Sequence, residues 1–171
     1  MCEKDVTLRR EVFREDLEQL LKWVEDSDVN RYLNEQQGVG KELRKAIVKS
    51  QNSLFTHRLN QEGRFFLVED ADDDQPIGYL RVVNKATEGE IVVAIGEKDR
   101  WGQGLGKSSL WEGLKVAFFN MRLEGLYAKI HRKNKRSINL FKKLGFQPLD
   151  ETEKEKIFYL SQDKFLELAV A

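Results

Sequence analysis

The stretch Trp101-Gly102-Gln103-Gly104-Leu105-Gly106-Lys107-Ser108 constrains the architecture of this chain more than any other. An apolar, β-branched run, Glu90-Ile91-Val92-Val93-Ala94-Ile95, enters it, and Leu110, Leu114, Ala117, Phe118 and Met121 follow it at helical spacing. The order is strand, glycine loop, helix. Alternating glycines let the backbone turn with its amides inward, and the helix start adds the positive end of a dipole. The loop can therefore hold an anion, with Lys107 or Arg100 adding charge at the rim. The same glycines equally suit a tight connection in which helix and strand approach closely.

Two better-known phosphate motifs fit badly. Gly106-Lys107-Ser108 imitates the end of a P-loop, but Trp101 stands where its first glycine belongs, and no second strand ends in a magnesium-binding Asp. A dinucleotide fold needs its glycines early in a βαβ unit, whereas here two helices and a hairpin precede them.

Those earlier elements follow from periodicity. Leu17, Leu20, Leu21 and Val24 mark a core-facing helix over 16–24, and a sparser stripe of Leu43, Ala46, Ile47 and Leu54 suggests a second from about Lys41 to Leu59. A loop is expected over 34–40. Residues 64–68 and 77–83 read as a hairpin whose acidic connection, 70–76, is a solvated turn without the spacing of a calcium loop. A strand at 126–130 leads to a helix from about Asn134 to Leu144 that Gly145 ends in a left-handed conformation. A last strand covers 157–160, and Asp163 caps a short terminal helix.

Composition narrows the class. A chain of 171 residues, 40% apolar, suits one domain over 1–171 with one sizeable core. Lys plus Arg and Asp plus Glu each number 29, so no global field draws the protein to nucleic acid or anionic lipid. The start lacks a signal peptide's apolar core, and no run is long enough to span a bilayer, which predicts a soluble, cytoplasmic protein. One cysteine, Cys2, and two histidines, His57 and His131, supply neither a disulfide nor a zinc set, so no metal is expected.

The glycine loop resembles the pyrophosphate loop of the GNAT superfamily of acetyltransferases, Q/R-x-x-G-x-G/A, with Trp101 at the first position. The run Asn134-Lys135-Arg136-Ser137-Ile138-Asn139-Leu140-Phe141-Lys142-Lys143-Leu144-Gly145-Phe146 is similar to that family's N-x-x-S/A-x-x-L-Y-x-K-x-G-F. The wider run 95–106 and the opening 23–33 resemble the branch of ribosomal-protein N-terminal acetyltransferases and relatives acting on amino sugars, polyamines or aminoglycosides. The resemblance implies a single-domain α/β (α+β) fold: a mixed, mostly antiparallel sheet of about six or seven strands flanked by helices, with a splayed parallel pair holding the cofactor.

It also implies acetyl-coenzyme A as cosubstrate and a primary amine, small molecule or protein N-terminus, as acceptor. The backbone of Val93 and Ile95 would receive the pantetheine arm, the loop 100–107 the pyrophosphate, and Asn134 the arm again, unless it merely caps its own helix. An amine must be neutral to attack, which makes Glu90 a candidate base, directly or through water, or else a solvated surface charge. Phe141 stands where the family often has an acidic Tyr, so Ser137 one turn earlier is the candidate acid; a surface Ser and a solvent proton are the alternative. His131 touches the acceptor or a phosphate, or simply ends its strand; Tyr127 and Tyr159 read as packing groups and His57 as surface. Phe141 also keeps open a non-catalytic acyl-coenzyme A binding domain, and Glu35, Glu88 and Glu90 would suit a cationic acceptor. A homodimer is the expected assembly.

Overall fold

The computed structural model describes residues 4–33, 39–51 and 54–171, without the side chains of Val39 and Glu42. Seven strands form one mixed sheet in the order β1-β2-β3-β4-β5-β7-β6: β1 Val6–Arg9, β2 Gly63–Asp70, β3 Pro76–Lys85, β4 Glu88–Ile95, β5 Gly125–His131, β6 Gln147–Glu151 and β7 Glu155–Ser161. All neighbours are antiparallel except β4 and β5. The helices are α1 Arg14–Glu25, α2 Ser27–Asn30, α3 Val39–Lys49, α4 Thr56–Leu59, α5 Leu105–Lys115, α6 Lys135–Lys143 and α7 Gln162–Val170; a π-turn over Val116–Asn120 prolongs α5. No helix among the described residues is long and apolar enough to cross a membrane.

Strand alternation divides the core between the two faces. Leu80, Val82, Ile91, Leu126, Ala128 and Ile130 pack with Leu110, Leu114 and Phe118 of α5, Ile138 and Phe141 of α6 and Phe165 of α7. Phe65, Leu67, Tyr79 and Ala94 pack with Leu17, Leu20 and Trp23 of α1 and with Val29 and Phe55. Each face of β4 therefore meets a different helical layer, and its backbone lies between them.

The long second helix of the sequence reading is in fact two. Leu54 makes a β-bridge with Phe13, Phe55 donates its N–H to the Val12 carbonyl at 2.7 Å, and the Thr56 hydroxyl accepts from the Val12 N–H at 3.0 Å. A backbone committed to that bridge cannot stay helical. The terminal helix is capped by Ser161, whose hydroxyl accepts from the Lys164 N–H at 3.2 Å, and Asp163 sits in its first turn instead. The expected loop over 34–40 lies outside the described residues apart from Val39 and Gly40, which begin α3; Cys2 and Glu35 also lie outside them. Gly145 does follow α6 with φ +89°.

Candidate active site

The parallel pairing of β4 with β5 is limited to Glu88 with Gly125, Gly89 with Leu126 and Glu90 with Tyr127. Beyond Glu90, β4 stays bonded to β3 as far as Ile95, and β5 stays bonded to β7 as far as His131. Each strand is held from outside while the inner edges part, so main-chain donors and acceptors face a gap. That gap opens into a cavity of about 340 Å³ whose walls include Val93, Ile95, Ala128 and Ile130 together with Trp101, Gly106, Asn134 and Ser137.

The glycine turn meets the cavity through Trp101 and Gly106. Gly102 and Gly104 have φ +79° and +84°, and a Cβ at either would meet nothing within 4 Å. Conformation rather than crowding therefore requires glycine, and the space before the turn is open. Gly104 caps α5, whose first-turn N–H groups have no helical acceptor. Leu105 anchors this end in the core. The Trp101 indole N–H donates to the Ile95 carbonyl at 2.8 Å, and the Arg136 guanidinium lies 5.5 Å from its ring centre, so α6 brings a cation to the turn. Lys107 is exposed on the first turn of α5. Gln103 accepts from Lys4 and donates to the Asp99 carbonyl at 3.0 Å.

Arg100, expected at the rim, is engaged elsewhere. Its guanidinium holds buried Asp70 at 2.6 Å and Asp73 at 3.2 Å, tying the turn to the β2–β3 connection, and it does not line the cavity.

Beside the turn, Asn134 caps α6 by accepting the Ser137 N–H at 3.2 Å and donates from Nδ2 to the Ser137 hydroxyl at 3.0 Å. With a lone pair of Ser137 Oγ occupied, its proton can be given to another group. Phe141 is buried in the cavity wall, edge-on to Phe146.

Glu90 lies on the face of Val92 and Ala94, which line this cavity, but is not itself part of its wall. Its Oε2 meets Lys85 at 3.2 Å and Lys129 at 3.3 Å. The Tyr159 hydroxyl donates to Glu88 at 2.8 Å, and burial together with that carboxylate pushes its pKa up to about 12. Tyr127, its ring tilted against Tyr159 with centres 4.9 Å apart, is raised as well, chiefly by a hydrogen bond to Glu88. His131 ends β5, 5.2 Å from the Tyr32 ring, and His57 is exposed on α4.

Sequence reasoning missed Arg136 and Lys129. Both signals were present: Arg136 sits inside the Asn134–Ser137 motif, and Lys129 alternates with the buried Ala128 and Ile130.

Residues 6–147 match the family model described as the acetyltransferase (GNAT) domain. The chain belongs to the GNAT acetyltransferase family. The acetyltransferase PseH of Campylobacter jejuni is 26% identical over 151 residues, 87% of this chain and 86% of that protein. The spermidine N-acetyltransferase of Vibrio cholerae, solved with CoA and spermine, superposes with a TM-score of 0.76 at 21% identity, over 95% of this chain and 98% of that one. A GNAT acetyltransferase from Bacillus anthracis gives 0.75 at 16% identity, over 95% and 98%. The sheet order, the parting of β4 from β5 and the turn at Gly104 are the GNAT fold in this chain.

Proposed function

We propose that residues 1–171 form one cytoplasmic N-acetyltransferase domain that moves an acetyl group from acetyl-coenzyme A to a primary amine by direct attack in a ternary complex. The observation that carries this reading is the end of the parallel ladder at Glu90, directly before an open glycine turn and opposite the Asn134–Ser137 cap. The cavity between the parted strands suits an extended arm bearing amides, which finds main-chain partners on both sides. Val93 and Ile95 offer that backbone, residues 101–107 the diphosphate cradle, and Arg136 its added cation. Arg100 acts in this cradle through Asp70, by fixing the turn. Asn134 holds Ser137 and the end of the arm.

Acetyl-coenzyme A supplies an acetyl thioester as electrophile and a thiolate as leaving group. Glu90 takes the proton that the attacking amine gives up, directly or through water, and Ser137 hands its hydroxyl proton to the departing sulfur. The nitrogen then carries the acetyl group, and solvent restores both residues.

The acceptor belongs among protein N-termini, amino sugars, polyamines and aminoglycosides, in keeping with the resemblance to the ribosomal-protein branch and with the likeness to a spermidine acetyltransferase. A two-fold homodimer, the commonest symmetric assembly, is the proposed quaternary state. Isothermal titration tests the cradle: acetyl-coenzyme A binds at the micromolar level, and ATP with magnesium produces no comparable heat. The reverse ranking would refute it.

A further inference from the structure

Beyond the fork the sheet changes character. α1 to α4 cover the face carrying Tyr79 and Ala94, but among the described residues their apolar cluster takes in none from the end of β3, the start of β4, or β5, β7 and β6. A second cavity of about 520 Å³ opens there, walled by Lys85, Glu90, Tyr127, Lys129 and, from β6 and β7, Leu149 and Ile157. Lys129 lines both cavities.

The charges of this second cavity are unevenly shared. Lys85 and Lys129 converge on the one carboxylate of Glu90, two ammonium groups around a single anion beside the end of the parallel ladder, while Asp150 on the rim balances the formal charge of the lining. Glu88 behind them is held by the Tyr159 hydroxyl at 2.8 Å. Asp150, on the exposed outer rim, turns Oδ1 to the backbone N–H of Glu151 at 2.8 Å. A polycation entering here brings its second ammonium against Lys85 or Lys129. An acceptor with a carboxylate or phosphate near its amine instead meets two ammonium donors for the anion and Glu90 for the amine.

Resting on the reading of the chain as an N-acetyltransferase, we infer that this cavity receives the acceptor and that Lys85 and Lys129 select an amine bearing a neighbouring anionic group over a polyamine. The lysines set specificity; Glu90 remains the group that meets the reacting nitrogen. Tyr127, Leu149 and Ile157 supply the apolar wall against which the carbon frame of such an acceptor packs.

Thiol release from acetyl-coenzyme A tests this with matched acceptors: glucosamine 6-phosphate against glucosamine, alanyl-glutamate against alanyl-glutamine amide, and spermidine. The phosphate and carboxylate pairs distinguish the two sources of the anion. At least one anionic acceptor should exceed its neutral partner and spermidine by about tenfold in kcat/KM, the scale of one charged hydrogen bond. Lys85→Glu should reverse the order toward spermidine while acetyl-coenzyme A binds as before, since Lys85 lies outside the first cavity. Spermidine as the best acceptor, equal rates within both pairs, or an order unchanged in Lys85→Glu would overturn the proposal. Failure to bind acetyl-coenzyme A would instead overturn the transferase reading beneath it.

Discussion

Asn134 grips Ser137 twice, accepting its backbone N–H at 3.2 Å and donating to its hydroxyl at 3.0 Å. The backbone bond fixes which end of the amide is oxygen, so Nδ2 must face Oγ and the serine proton is left for another acceptor. Ser137→Ala should lower kcat by about a hundredfold, the lower range for a positioned general acid, with acetyl-coenzyme A affinity changed little. Full turnover in steady-state assays would leave the thiolate to solvent.

Gly104→Ala separates conformation from space. A Cβ there meets nothing within 4 Å, yet φ is +84°. The substitution should cost about 1–2 kcal/mol of strain, relieved only by reshaping the turn. Urea titration should record the loss of stability, and calorimetry a weaker acetyl-coenzyme A affinity.

Arg100 and Asp70 form a partly buried pair with side-chain exposures of 24% and 3%. Arg100→Met leaves that carboxylate without its cation at 2.6 Å. The expected loss is about 2 kcal/mol, between exposed and fully buried pairs, and Asp70→Asn in the Met background should recover part of it. Chemical denaturation of the single and double variants measures both.

Tyr159 predicts an alkaline limit. Its pKa is pushed up from 10 to about 12 by burial and by Glu88, so between those values the unfolded chain has ionised while the fold still holds its proton. Stability is therefore fully present below pH 10 and falls as pH rises toward 12. Tyr159→Phe should flatten this slope in urea midpoints, leaving the smaller part due to Tyr127, which is raised in the same direction.

How much of this the sequence discloses depends on whether local chemistry decides the outcome. The glycine turn, the Asn134 cap and Gly145 are legible because φ and capping are properties of a few adjacent residues. β6 was not legible: Gln147-Pro148-Leu149-Asp150-Glu151 is an exposed edge strand with no alternating apolar face. The break at Leu54 was equally hidden, since it depends on a bridge to Phe13. At the site, the backbone roles proposed for Val93 and Ile95 follow from motif position, whereas Arg100 looked like a phosphate ligand because nothing local reveals Asp70 beside it. Glu90 was visible as a carboxylate at a strand start; its lysine partners, one from each neighbouring strand, were visible only in the assembled sheet.

The central claim is tested most directly by thiol release from acetyl-coenzyme A, followed with the purified protein in the presence and absence of a panel of primary amines. Amine-dependent release, with the acetyl group recovered on nitrogen by mass spectrometry, is the predicted result. Tight binding of acetyl-coenzyme A with no release above the hydrolytic background for any amine would contradict it.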